Sequence, residues 1–352
     1  MGVRGQSAQP EVERYDLAPD FAIVRIVNGM WQVAGGHGYI DAGRAVEEMV
    51  QYHLAGLTTW DLADIYGPAE DLIGEFCKKL ESGLGPAQLQ NVKALTKWVP
   101  EPRTITRELV RSSIKRSLER MRASTIDLLQ FHWWDYGNPY YIDALKYLSE
   151  LRDEGRIRCL GLTNFDTERM EIMNDAGIHI TSNQVQYSII DRRPEVRMVP
   201  YCLNQKDSHA KTSLLAYGVL CGGLLTDRYL GRPEPRGLEL NTPSLQKYKR
   251  MIDSWGGWKL FQELLRELDA IAKAHNASIA NVATRYILDR PAVAGAIIGA
   301  RLGIAEHRSD NLRTFGTKLT GSDISRIEAV CQKSNELYET IGDCGDEYRS
   351  RW

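Results

Sequence analysis

The sequence predicts a closed (β/α)8 barrel, on three observations. Eight short apolar runs are each followed by a stretch of helical periodicity. Such strand–helix alternation implies parallel βαβ units, and eight units in 352 residues suit a TIM-type barrel. The rival doubly wound open sheet should carry GxGxxG after its first strand. Here the first strand ends NGMWQVAGGHG and the fingerprint is missing.

The strand runs, in order, are RIVNGMWQV, GLTTWD, NVKALTKW, TIDLLQFHW, RCLGLTNF, HITSNQVQYS, KTSLLAYGVL and VAGAIIGAR. The helical stretches between them include AEDLIGEFCKKLES, TITRELVRSSIKRSLERM and YYIDALKYLSELRDEG. Ahead of the first barrel strand, YDLAPDFAIVRIV suits a β-hairpin closing the barrel bottom. Residues 1–14 read as a disordered lead, and 15–352 as a single barrel domain. The segment from about 227 to 257, rich in Pro, Gly and charge, reads as a long loop interrupting the eighth strand–helix unit. It falls on the side where barrel loops carry function.

Bulk composition narrows the function. An apolar fraction of 43% supports a large core. A net charge of −2 attracts neither nucleic acid nor a membrane surface. No apolar run reaches the roughly 18 residues of a membrane span. The N-terminal MGVRGQSAQP has no secretory apolar core. Six scattered cysteines without CxxC read as free thiols of a reducing, cytoplasmic compartment. No histidine spacing suggests a metal. The expected partner is a small molecule; oligomeric state is not legible.

A barrel's active site lies at the C-terminal ends of its strands. The second run ends at Asp61, with Tyr66 just beyond; the third at Lys97; the fourth at His132; the fifth at Thr163 and Asn164. The sixth ends at Gln184, the seventh at Tyr217, the eighth at Gly299–Arg301. A phenol beside an ammonium, with a carboxylate holding the ammonium, suits proton exchange with a carbonyl or alcohol oxygen. A histidine beside the phenol suits hydrogen bonding to that oxygen. No side chain supplies a hydride, so redox chemistry needs a cofactor. Asn164 and Gln184 suit a carboxamide, Tyr217 a flat ring, and Arg301, His307 and Arg308 at a helix N-terminus suit phosphate. Trp31, Trp98, Trp133 and Trp134 follow strand ends, which suggests an aromatic substrate pocket. Each of these residues alone has a plainer reading: cap, packing residue or solvated charge. The case rests on their joint placement.

On these residues the chain resembles the aldo-keto reductases over nearly its whole length. DLADIYGPAE resembles the family's D-x-A-x-x-Y-G signature, with a Glu three residues on. The lysine of KALTKW, the histidine of LLQFHW, GLTNF, NQVQYS, YGVLCGGLLTDRY and IIGAR follow in order. The resemblance implies NADPH-dependent reduction of an aldehyde or ketone, with Tyr66 as general acid, Lys97 its partner, Asp61 the lysine's partner and His132 orienting the carbonyl. It implies that Thr163, Asn164 and Gln184 bind the carboxamide and that Tyr217 stacks on the nicotinamide. Gly218, Val219, Leu220 and Gly223 would line the pyrophosphate. Gly29, Met30, Gly299, Ala300, Arg301, His307, Arg308 and Asn311 would complete the cofactor site. Trp31, Trp98 and Trp133 would line the substrate pocket. Thr163 and Gly218 stand where the family has Ser, and the Gly299–Asn311 spacing is about two residues long. Two alternatives stay open: a cofactor-binding regulatory subunit, as the potassium-channel β subunits are in this family, and a phosphate-binding barrel isomerase.

Overall fold

The apolar run ahead of the first barrel strand folds back on itself. In the computed structural model, which describes residues 10–35, 40–205, 211–304 and 306–349, β1 (Arg14–Ala18) pairs antiparallel with β2 (Phe21–Val24). Leu17, Phe21 and Ile23 of this hairpin are buried against Val27, Leu95, Leu128, Cys159, Leu215 and Ala294. These lie in the N-terminal halves of barrel strands, so the hairpin closes the barrel bottom as expected. Tyr15 and Ser213 share a hydrogen bond across that closure, at 3.1 Å. Of the expected lead, residues 1–9 lie outside the described residues. Order begins before residue 15: Glu13 forms ion pairs with Arg25 and Arg285, and Arg14 opens β1.

The barrel strands are β3 (Ile26–Gly29), β4 (Thr59–Asp61), β5 (Lys93–Trp98), β6 (Ile126–His132), β7 (Ile157–Thr163), β8 (Ser182–Gln186), β9 (Ser213–Tyr217) and β10 (Val293–Gly299). They close in the order β10-β3-β4-β5-β6-β7-β8-β9, with parallel pairing throughout. The helices are α1 (Ala42–Leu54), α2 (Ala69–Leu84), α3 (Arg107–Met121), α4 (Tyr141–Asp153), α5 (Thr167–Asp175), α6 (Met198–Asn204), α7 (Pro243–Trp255), α8 (Gly257–Ala274), α9 (Ile279–Leu288), α10 (Arg308–Gly316), α11 (Gly321–Cys331) and α12 (Leu337–Ile341). Several start at side-chain caps legible in the sequence: Asp41, Thr106, Asp166, Ser278 and Thr320 each accept a backbone N–H three residues on.

Successive side chains of a strand face opposite ways, and two layers of core follow. Leu95 points into the barrel and Lys97 follows on the same face. Trp98, Phe131, Trp133 and Phe165 pack between strands and helices. This corrects the substrate-pocket expectation for Trp98 and Trp133. Each is one residue past an inward-facing side chain, Lys97 and His132, so each points outward into the core.

The 227–257 segment also differs from expectation. It follows β9, in the seventh strand–helix unit and not the eighth. It is not all loop: Thr242 caps α7, whose Tyr248, Met251, Ile252 and Trp255 are buried. Helical periodicity was present there, but Pro243 and the preceding Pro/Gly stretch masked it; proline is well tolerated in a first helical turn. Beyond α12 the chain returns to the barrel mouth, where the Arg349 guanidinium donates to the carbonyls of Asn164 and Trp133.

Candidate active site

Strand geometry places the ends of β4, β5 and β6 around one buried ion pair. The Lys97 ammonium donates to both Asp61 carboxylate oxygens at 2.6 Å and to the Leu62 carbonyl at 2.9 Å. Both residues are almost wholly buried. Asp61 Oδ1 also accepts from Gln184 Nε2 at 2.7 Å and Gln130 Nε2 at 3.0 Å. Gln130 was not singled out from sequence. The signal was there, since it stands two residues before His132 and so shares its face of β6.

Tyr66 lies on the loop after β4. Its ring sits under the Lys97 ammonium, 4.9 Å from Nζ to centroid, and packs edge-on against Trp31 at 5.0 Å. Its phenol pKa is pushed well above the usual value by burial, and further by Asp61, Tyr348 and Asp64. A neighbouring ammonium by itself would lower the pKa of a phenol, but here burial outweighs it. The lysine's charge is committed to Asp61, and the phenol stays protonated. Glu70, the last residue of the signature motif, explains its own presence: it accepts the Thr96 hydroxyl at 2.7 Å and pairs with Arg120, tying α2 to β5 and α3.

His132 ends β6. Its Nδ1 lies 3.0 Å from the Thr163 carbonyl oxygen, which only accepts, so Nδ1 carries the proton. Neutral His132 therefore offers a lone pair at Nε2, which is buried and has no partner. Burial lowers the imidazole pKa to about 4, aided by Arg349 and Lys97. The Thr163 hydroxyl is likewise buried without a partner.

Asn164 adopts φ 58°, a left-handed conformation that asparagine tolerates better than most residues. Its Oδ1 accepts from the Tyr217 hydroxyl at 2.9 Å. After Tyr217 the chain turns at Gly218, with φ 72°, and a Cβ there would collide with Tyr248 of α7. The glycine standing in place of Ser is thus matched by a tyrosine filling its space. Val219 is buried, Leu220 half-buried, and Gly223 again has positive φ.

On the far side of the mouth, Gly29 and Gly299 lie paired on β3 and β10. Met30 and Ala300 are buried, and Gln32 fills the space a Cβ on Gly299 would take. Arg301 and His307 are exposed. The expected phosphate site at the start of α10 already holds a carboxylate: Glu306 accepts from the backbone N–H of Arg308 and Ser309. Arg308 forms ion pairs with Glu48 and Glu306. Asn311, in the first turn of α10, is half-buried. The structure thus gathers Asp61, Lys97, Tyr66, His132, Thr163, Asn164, Gln184 and Tyr217 at one mouth. It sets Arg301, His307, Arg308 and Asn311 at the end of β10 and the start of α10. Of the tryptophans, Trp31 and Trp134 stand at the mouth and are partly exposed, Trp134 with its ring edge-on to His132 at 4.2 Å.

A parallel eight-stranded barrel with a buried Lys–Asp pair, a phenol and a histidine at its C-terminal mouth has the layout of a barrel enzyme, whose active site lies at that end. The chain belongs to the Aldo/keto reductase family, whose profile matches residues 25–332. It is 30% identical to the aldo-keto reductase YhdN of Bacillus subtilis, covering 90% of this chain and 92% of that protein. It is 22% identical to the NADH-specific methylglyoxal reductase of Escherichia coli, covering 89% and 96%. Its fold matches an aldo/keto reductase of Klebsiella pneumoniae solved with NADP and acetate, at TM-score 0.69, 21% identity and coverage of 93% and 99%. The protein is an oxidoreductase of carbonyl and alcohol groups, in a family that uses nicotinamide cofactors.

Two predictions arise from this geometry. Lys97→Met leaves the Asp61 carboxylate buried without its counter-ion and should cost about 3–5 kcal/mol in urea denaturation. Lys97→Met combined with Asp61→Asn should recover most of that loss, and equal losses in single and double variants would refute a coupled buried pair. Separately, nitrogen NMR of the cofactor-free protein should show His132 neutral from pH 8 down to about pH 5, protonating only near about 4. A titration midpoint near the ordinary value of about 6.5 would contradict its burial.

Proposed function

We propose that the protein reduces an aldehyde or ketone to an alcohol with NADPH, and that Tyr66 gives the proton. The observation that carries this reading is the convergence of Tyr66, the Lys97–Asp61 pair and the unpartnered Nε2 of His132 on one mouth. The cofactor, when bound, supplies the hydride. Thr163, Asn164, Gln184 and Tyr217 are the residues that would hold its nicotinamide end, and the orphaned Thr163 hydroxyl fits a missing polar partner. Tyr66, kept protonated by burial, has a proton to donate to a developing alkoxide. Lys97 holds positive charge over the ring, which favours the phenolate left behind. His132 accepts through Nε2, so it orients the hydroxyl of the alcohol product, or of an alcohol substrate in the reverse direction. Trp31, Trp134 and Tyr348, each about two-fifths exposed at 41%, 39% and 39%, make the mouth aromatic. They favour aromatic or otherwise apolar carbonyl compounds.

NADPH is supported by Arg301, Arg308 and His307 at the start of α10, and by the NADP bound to the Klebsiella protein. The Escherichia coli relative shows that the family also uses NADH. In this chain a 2′-phosphate would have to replace Glu306 at the helix N-terminus. It would gain Arg308, whose planar fork suits phosphate. The free thiols suit a reducing compartment, and no helix among the described residues is long and apolar enough to cross a membrane.

Tyr66→Phe should lower kcat for a generic aldehyde by roughly 10²–10⁴-fold, while the Kd for NADPH stays close to wild type. Retention of a tenth or more of kcat, with chemistry rate-limiting, would remove Tyr66 from the role, whereas no measurable turnover by the wild type would favour a regulatory subunit. Cofactor choice is decided by fluorescence titration. Arg308→Ala should raise the NADPH Kd and barely change that for NADH, and Glu306→Gln should lower the NADPH Kd. Tighter NADH binding in the wild type would overturn the assignment.

A further inference from the structure

Residues 343–349 do not merely border the mouth. The Glu347 carboxylate is fully buried and accepts the Tyr217 hydroxyl at 3.1 Å. It is anchored from below by Arg193 at 2.9 Å, and Arg193 is itself paired with buried Asp191. Burial alone would raise this carboxylate's pKa, but Arg193 and Lys247 bring it down to about 2. The Tyr348 hydroxyl lies 3.2 Å from that of Tyr217 and accepts from the Lys247 ammonium at 2.7 Å. Lys247 also stands over the Tyr217 ring, 5.3 Å from its centroid. Arg349 donates to the Asn164 carbonyl at 2.7 Å, and Gly345 packs so tightly on that carbonyl that no Cβ would fit. Two segments distant in sequence, α7 and the chain end, thus meet on Tyr217 and Asn164. These are the residues assigned above to the nicotinamide.

We propose that residues 343–349, pinned by Lys247 of the insertion helix, form a latch over the nicotinamide end of the cleft, which must swing away before a dinucleotide binds. This rests on the nicotinamide assignment of the proposed function. The latch is held by groups that differ in kind. Glu347–Arg193 is a buried anchor, whereas Tyr348 and Lys247 are partly exposed and make the contacts over Tyr217. Opening therefore breaks the outer contacts first, and a protein mostly latched binds cofactor with an affinity reduced by the fraction open.

The test uses the full-length protein, with NADPH and NADH as probes. Stopped-flow protein fluorescence follows binding to wild type, Lys247→Ala and Tyr348→Ala. Hydrogen exchange of residues 343–349 is measured with and without saturating nucleotide. Both substitutions are at partly exposed positions and leave the Arg193 anchor intact. In the wild type, the observed binding rate should level off with nucleotide concentration, at the latch-opening rate. Each variant should raise that ceiling and lower Kd about tenfold, and bound nucleotide should speed exchange across 343–349. A rate that rises linearly in all three proteins, with unchanged Kd and greater protection of 343–349 when nucleotide is bound, would make the segment a fixed wall and sink the latch alone. Absence of nucleotide binding in wild type and both variants would sink the cofactor reading and the latch with it.

Discussion

Everything at the mouth of this barrel depends on one buried charge pair, Lys97 with Asp61. Removing two charges from water costs several kcal/mol per ion, at order of magnitude, and attraction repays it only when remaining hydrogen-bonding capacity is satisfied. Here it is. The ammonium has both carboxylate oxygens and the Leu62 carbonyl, and the carboxylate also has the amides of Gln130 and Gln184. Those partners come from β4, β5, β6 and β8. Satisfying the pair therefore fixes the relative positions of half the strand ends, and with them the groups that would meet a substrate.

Burial sets the protonation of the neighbouring groups, and the pair adds to it. Burial, reinforced by Asp61, keeps the Tyr66 phenol protonated, while Lys97 lies close enough to favour a phenolate once the proton has gone. Burial, aided by Arg349 and Lys97, also keeps His132 neutral, and the Thr163 carbonyl selects the tautomer with a bare Nε2. Phenol and imidazole are thus complementary: one donor and one acceptor. An oxygen that gains a proton in one direction of reaction, and loses it in the other, needs both.

The barrel, its bottom hairpin and the strand-end residues were legible because each rests on a local rule: two-residue alternation, turn chemistry, and strand ends facing one mouth. The two misplaced tryptophans come from stopping that rule one residue short. Lys97 and His132 face in, so Trp98 and Trp133 must face out, and counting by twos would have said so. Gln130 would have been found by the same count. The roles of Glu306, Glu347 and Lys247 were not legible in this way. Glu306 lies near its helix, but its capping bonds depend on how the β10–α10 loop folds. Glu347 meets Arg193 across 154 residues, and Lys247 meets Tyr348 across 101. No periodicity encodes such contacts.

What Glu306, Gln32 and Glu347 share bears on how a ligand site exists without its ligand. Helix N-termini, buried hydroxyls and guanidinium groups cannot stay unpaired in a packed interior without cost. Glu306 caps the N–H groups of α10, Gln32 lies against Gly299, and Glu347 takes the Tyr217 hydroxyl and Arg193. Each internal group supplies what an incoming anion or amide would supply. Binding is then an exchange of partners, and affinity depends on the difference between two satisfied states. That difference is small where the internal ligand is held by exposed contacts, as Glu306 is by the N–H groups of Arg308 and Ser309 and by the Arg308 guanidinium. It is large where, as at Glu347, a buried guanidinium would be left behind. The outer end of the cleft, at Glu306, is thus the easier one to exchange, and the nicotinamide end is where closure of the chain on itself costs most to undo.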